Sequence, residues 1–177
     1  MWNLITLDGI FEGEKSWDVR WHQRALGPEF HQFAIEQLKT AEMLLFGRVT
    51  YEGMAAFWST EKNEIAGYMN NLPKVVFSRT LDKAEWQNTR LIKEAVNAVR
   101  KLKEEGDGNL FVFGSADLSA SLMAAGLFDE YRIGLTSIIL GKGRPLFPTG
   151  IPGMNLKLVQ TRPLTQGCVV LYYRPDK

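Results

Sequence analysis

Thiols and histidines are scarce: the 177-residue chain has one cysteine and two histidines. Cys168 alone closes no internal disulfide, and its place in the apolar run "CVVLYY" reads as a small buried residue. Neither sign of charge is in excess, since 21 Lys and Arg face 20 Asp and Glu for a formal charge of +1. That balance calls for neither a nucleic-acid backbone nor an anionic membrane surface, so an anion must be bound locally. No stretch approaches the roughly 20 apolar residues that span a bilayer, and "MWNLITLDG" lacks a basic region ahead of an apolar segment. The expectation is a cytoplasmic protein with no membrane or nucleic-acid partner and no metal site. Internal repeats and Pro-, Gly- or Ser-rich linkers are also absent, which leaves one continuous domain over residues 1–177.

What is present is 45% hydrophobic, enough for a sizeable core. Short runs rich in Val, Ile and Phe alternate with segments of helical period, the pattern of an α/β fold with a largely parallel sheet. Strands are predicted at residues 2–7, 43–46, 74–78, 110–113, 131–139, 156–161 and 169–173. The last two flank "RPLTQG" and are expected to pair as a C-terminal antiparallel hairpin. "GPEFHQFAIEQLKT" places Phe30, Phe33, Ala34, Leu38 and Ala41 on one helical face. "LIKEAVNAVRKLKEEG" does the same with Ile92, Val96, Val99 and Leu102, and "SADLSASLMAAG" opens on Ser115 as a candidate N-cap and stops at Gly126.

Three junctions at predicted strand ends share one design: Phe46-Gly47-Arg48-Val49-Thr50, Phe77-Ser78-Arg79-Thr80 and Phe113-Gly114-Ser115-Ala116. In open α/β sheets ligands bind at the carboxyl ends of strands, where helix N-terminal N–H groups face an anion. Arg48 and Arg79 add forked charged donors suited to phosphate. The bland alternative is a set of ordinary turns and a solvated arginine. No junction matches the dinucleotide fingerprint G-x-G-x-x-G or the Walker loop, and "GKGRPLF" reads as a turn.

Five collinear motifs carry a resemblance: "LDG" at 7–9, "GRVTYE" at 47–52, "YMNNLPKVVFSRTL" at 68–81, "VFGSADLSASL" at 112–122 and "FDEYRIGLTSIILGKGRPLF" at 128–147. Together they resemble the dihydrofolate-reductase-like superfamily, and within it stand-alone proteins similar to the RibD C-terminal domain, the reductase of riboflavin biosynthesis. The resemblance implies a single dihydrofolate-reductase-like domain with a mostly parallel central sheet of about eight strands, flanking helices and NADPH across the strand ends. Residue by residue, it assigns Gly47, Arg48 and Thr50 to the adenosine phosphates and Ser78 and Arg79 to the ribose 2′-phosphate. Gly114, Ser115 and Ala116 fall at the turn under pyrophosphate and nicotinamide, with a cis peptide expected between Gly114 and Ser115. Thr136 falls near the substrate. Relatives of this type often pair into homodimers, and the "VVLYY" run would suit such an interface as well as a core.

Hydride transfer also needs a proton, and the acidic residue that dihydrofolate reductases carry on the first long helix is missing. His31 stands nearest that place and is the candidate donor, with His22 behind it; both are as readily surface or loop residues. The long loop from Asp8 to Pro28 carries Phe11, Trp17 and Trp21, suited to covering a planar substrate or to packing beneath the loop. The expected function is an NADPH-dependent reductase of a small pteridine-, pyrimidine- or carbonyl-type substrate. The 5-amino-6-(5-phosphoribosylamino)uracil of riboflavin biosynthesis is one such substrate, for which Lys142 and Arg144 could hold the phosphate. The alternative is a non-catalytic NADPH- or pterin-binding protein that kept the fold.

Overall fold

The computed structural model describes residues 1–176. In chain order the elements are β1 (Trp2–Ile5), β2 (Ile10–Glu12), α1 (Pro28–Lys39), β3 (Ala41–Gly47), α2 (Arg48–Trp58), α3 (Glu64–Asn71), β4 (Lys74–Phe77) and β5 (Thr89–Ile92). There follow α4 (Ala95–Glu105), β6 (Asn109–Val112), α5 (Ala116–Ala124), β7 (Tyr131–Thr136), β8 (Arg144–Pro145), β9 (Leu156–Leu164) and β10 (Cys168–Pro175).

Apolar runs without alternation form strands that are covered on both faces. β3 and β4 are such runs: Leu44, Leu45, Phe46, Val75 and Val76 are all at most 1% exposed. They lie in a four-stranded, wholly parallel sheet of order β5-β4-β3-β6. Successive side chains point to opposite faces, so Leu44 and Phe46 pack with Tyr51 and Met69 of α2 and α3, and Leu45 packs with Val99 and Leu122 of α4 and α5.

A second four-stranded sheet, β1-β7-β10-β9, pairs β1 parallel to β7 and runs β10 antiparallel to both neighbours. The expected single sheet of about eight mostly parallel strands is thus divided, and the all-parallel part has four. One bridge, Trp2 to Phe113, joins the halves. Just past the bridge β6 leaves the sheet through the left-handed Gly114 and Ser115, and the Asn3 side-chain oxygen accepts the Gly114 N–H at 2.7 Å.

The C-terminal hairpin forms as expected, between β9 and β10. β10 is an interior strand whose Val170 and Tyr172 are buried while Val169, Leu171 and Tyr173 are half-buried, and the sheet edge is β9. Cys168 is fully buried and burial pushes its thiol up to about 11, in line with a structural role. α1 lays Phe30 and Phe33 on Leu4, Cys168 and Val170 of this sheet.

Other expectations need correction. Ile92 ends β5 and does not open a helix; α4 begins at Ala95, capped by the Glu94 carboxylate through the Val96 and Asn97 N–H groups. No helix follows Ser78: the Ser78 hydroxyl accepts the Thr80 and Leu81 N–H groups and folds the chain into a turn that leads to β5. "GKGRPLF" is not only a turn, because β8 within it pairs with β2. Ala41 belongs to β3, not to the helix before it.

Lys74 closes one side of the parallel sheet. Its ammonium, on a residue 1% exposed, donates to the carbonyls of Met69, Asn70 and Leu72 at 2.7–3.0 Å and thereby satisfies the end of α3. Lys74→Ala would strand these acceptors, and urea denaturation is expected to show a loss of about 3 kcal/mol.

Candidate functional site

β3 lies between β4 and β6, so the strand ends at Gly47, Phe77 and Val112 emerge side by side on one edge. The first and third of the junctions are clasped to each other. The Gly47 N–H donates to the Ser115 hydroxyl at 2.7 Å, and the Ser115 N–H donates to the Thr50 hydroxyl oxygen at 2.9 Å. Ser115 is therefore not the side-chain cap of α5; its oxygen faces the neighbouring junction.

The turn behind the clasp is left-handed at two successive residues, Gly114 at φ 61° and Ser115 at φ 59°. For Ser115 that conformation costs about 1–2 kcal/mol, which the paired hydrogen bonds offset. The expected cis peptide is absent: every described peptide bond is trans, and the turn is made through φ. Close approach excludes larger side chains as well. A Cβ on Gly114 would stand 2.9 Å from Thr50 Cγ2 and 3.2 Å from the Phe11 ring, and one on Gly47 would meet Ser115 at 3.0 Å. No side chain caps the first turn of α2 or α5. Their free N–H groups and dipoles face the same edge, an arrangement that favours an anion. Beneath them the Asn3 amide nitrogen is buried without a partner.

The remaining candidates divide. Ala116 is buried at the start of α5. Arg48 is spent partly on its own helix, through Glu52 at 2.9 Å, while Arg79 is exposed and has no ion pair among the described residues. Phe11 is 6% exposed and belongs to the core under Gly114, and Thr136 donates to the Ile5 carbonyl at 3.0 Å, so both support the edge from below. Trp17 adopts φ 63°, and its indole fills the space a Cβ of Gly53 would need, against α2. His31 is exposed on α1, and no described contact ties it to the clasp.

Two residues escaped the sequence reading. Glu12, 5% exposed, accepts the Trp17 N–H at 2.8 Å and a guanidinium N–H of Arg144, which also pairs with Asp117 in the first turn of α5. This relay ties the loop to the clasp. Asn3 was missed because it lies in an apolar run with no turn signal around it. Asp8 holds a further loop, accepting from Thr6 and from the Gly141 N–H at 2.7 Å; these bonds keep its carboxyl below the usual carboxylate range.

Two surface hollows lie away from the clasp. One, of about 690 Å³, opens at the amino ends of β6 and β7; the other, of about 330 Å³, lies between residues 13–21 and Leu140.

This α/β domain, with a parallel sheet covered on both faces and a C-terminal antiparallel hairpin, has the dihydrofolate-reductase-like fold. Residues 1–170 match the RibD C-terminal domain, and the chain belongs to that family. It is 30% identical over 175 residues to the uncharacterized Bacillus subtilis (strain 168) protein YyaP, covering 96% of this chain and 90% of YyaP. A Shewanella sp. PV-4 structure named for riboflavin biosynthesis superposes with a TM-score of 0.79 at 18% identity, covering 99% of this chain and 97% of that one. Dihydrofolate reductase from Enterococcus faecalis, solved with NADP(H), gives 0.64 at 14% identity over 98% and 94% of the two chains. At such identities the superpositions speak to the fold.

Gly114→Ala is expected to cost about 2–4 kcal/mol by thermal or urea unfolding, through both its φ and the Thr50 contact. His22 generates a pH dependence. Burial pushes its imidazole down to about 4, and its Nε2 is out of solvent without a partner. The unfolded chain takes up the proton near 6.5, so acid favours unfolding, and this stability is complete above pH 6.5 and lost as pH falls towards 4. Between pH 7 and pH 5 the wild type should lose about 2 kcal/mol more than His22→Phe in parallel urea titrations.

Proposed function

We propose that the protein is an NADPH-dependent reductase of a small planar substrate, with the dinucleotide laid across the clasped strand ends. The observation that carries this reading is the pair of uncapped helix N-termini held together by Gly47, Thr50 and Ser115, backed by a buried, unpartnered Asn3 amide. The residues present fit the group: Gly47 and Gly114 leave room for backbone to approach phosphate, and Arg79 is free to pair with a 2′-phosphate.

In this reading the first turns of α2 and α5 hold the pyrophosphate, Arg48 reaches a phosphate by exchanging Glu52 for it, and Arg79 with the Ser78 turn selects NADPH over NADH. The bound dinucleotide would supply the hydride. Phe11 and Thr136 hold the floor on which a nicotinamide ring would lie, and Trp17 with the 13–18 loop excludes water from it. Proton delivery falls to ordered water, since Glu12 accepts hydrogen bonds on both carboxylate oxygens and His31 is exposed elsewhere. That lack of a free acid at the clasp is also what favours the second reading, a binding protein that retained the fold. Cofactor oxidation followed at 340 nm with a panel of pterins, aminopyrimidines and quinones separates the two.

Calorimetric titration is expected to show saturable NADPH binding at micromolar concentration. Arg79→Ala should weaken NADPH about 10- to 100-fold while leaving NADH nearly unchanged. Absence of NADPH binding by the wild type would overturn the reading.

A further inference from the structure

Gly53 lies three residues beyond Thr50 on α2, on the same side of the helix and about 4.5 Å farther along its axis from the clasp. A Cβ on Gly53 would collide with Cε2 and Cδ2 of Trp17 and stand 2.6 Å from Nε1. Cε2 and Cδ2 form the fusion bond of the indole, which only the flat face of the ring presents. The indole therefore lies flat on bare helix backbone. One turn to either side of Gly53 are Val49, half-buried, and Phe57, 51% exposed. Of the five tryptophans, Trp17 alone stands outside the hydrophobic clusters and, among the described residues, has no aromatic neighbour. Its indole is not committed to the core.

The loop that presents Trp17 is closed on itself. The Gly13 N–H donates to the Asp18 carbonyl at 2.9 Å and the Asp18 N–H to the Lys15 carbonyl at 3.1 Å, so residues 13–18 move as a unit. Its ties outward are few: the Trp17 N–H to Glu12 at 2.8 Å, and the exposed Lys142–Glu14 pair, which contributes little in water. Trp17 itself is held left-handed at φ 63°, a strain that a bulky residue keeps where its side chain must be aimed, as at a ligand clamp.

We propose that the Gly53 face of α2 is the stacking site for the planar ring of the substrate, and that Trp17 selects that ring by closing on its far side. Naming the ring a substrate rests on the reductase reading; the stacking itself does not. A flat heterocycle, one van der Waals layer or about 3.5 Å thick, enters between the Gly53 backbone and the indole. The indole exchanges contact with backbone for contact with the ring, and the ring is covered on both faces. A puckered or branched carbonyl compound does not fit a slot one layer thick, so the substrate class is a heteroaromatic of pteridine or pyrimidine type.

Nuclear magnetic resonance of the indole N–H groups on the full chain tests this, with lumazine as the flat ring and cyclohexanone as a carbonyl compound without one. Each is added to the protein alone and to the protein with excess NADP⁺. The Trp17 signal, assigned by its loss in Trp17→Phe, is expected to shift with lumazine and to stay in place with cyclohexanone. Trp17→Ala should weaken lumazine about tenfold, the worth of one stacked face, and Trp17→Phe by less. Gly53→Ala, a change that favours the helix, should weaken it by at least about tenfold, because the added methyl stands where the ring would lie. The inference is overturned if lumazine binds in neither state, if it binds without moving the Trp17 signal, if cyclohexanone moves that signal as far, or if Trp17→Ala or Gly53→Ala binds lumazine as tightly as the wild type. A separate NADPH titration keeps the two ideas apart, since failure there removes the cofactor reading and leaves the stacking site standing.

Discussion

The candidate site depends on a reciprocal clasp between two helix starts. Gly47 gives its N–H to Ser115 and Ser115 gives its own to Thr50, across 68 and 65 residues of chain. Either bond alone would be worth about 1 kcal/mol, comparable to the cost of the left-handed serine that makes them. Together they hold α2 and α5 at one edge with first-turn donors open. Asn3 then pins the turn from β1 by taking the Gly114 N–H, one residue past the bridge that joins the two sheets.

Around that clasp the loop from Asp8 to Pro28 is built in, not draped. The β2–β8 pairing, the Asp8 bonds to the 140–141 turn and the Glu12–Arg144–Asp117 relay fix its two sides, and Trp17 rests on the backbone of α2 at Gly53. The aromatic residues of this loop divide their work accordingly. Phe11 packs under Gly114, Trp17 lies against Gly53 of α2, and Trp21 is buried with Phe30 and Phe33 of α1.

Much was legible from residue order alone. The strands β3, β4 and β6 carry apolar runs without alternation and could be read directly, as could the amphipathic faces of α1 and α4. β5, β2 and β8 were not legible, because "TRLI", "IFE" and "RP" are too short or too polar to signal a strand without a partner. Ser115 looked like an N-cap because serine before a helix usually caps it, and only the neighbouring junction shows its hydroxyl to be engaged across the sheet. Arg48 and Arg79 were indistinguishable as residues; Glu52 one turn along α2 separates them.

The sequence by itself determined the α/β class, the hairpin, the buried thiol and the junctions worth watching, because these follow from local periodicity and from which residues tolerate a tight turn. The tertiary structure alone decided the bond from Gly114 to Asn3, the clasp, the φ-made turn in place of a cis bond and the burial of Glu12. Each of these is a contact between residues far apart in the chain, and no local pattern encodes which distant partner a polar group will meet.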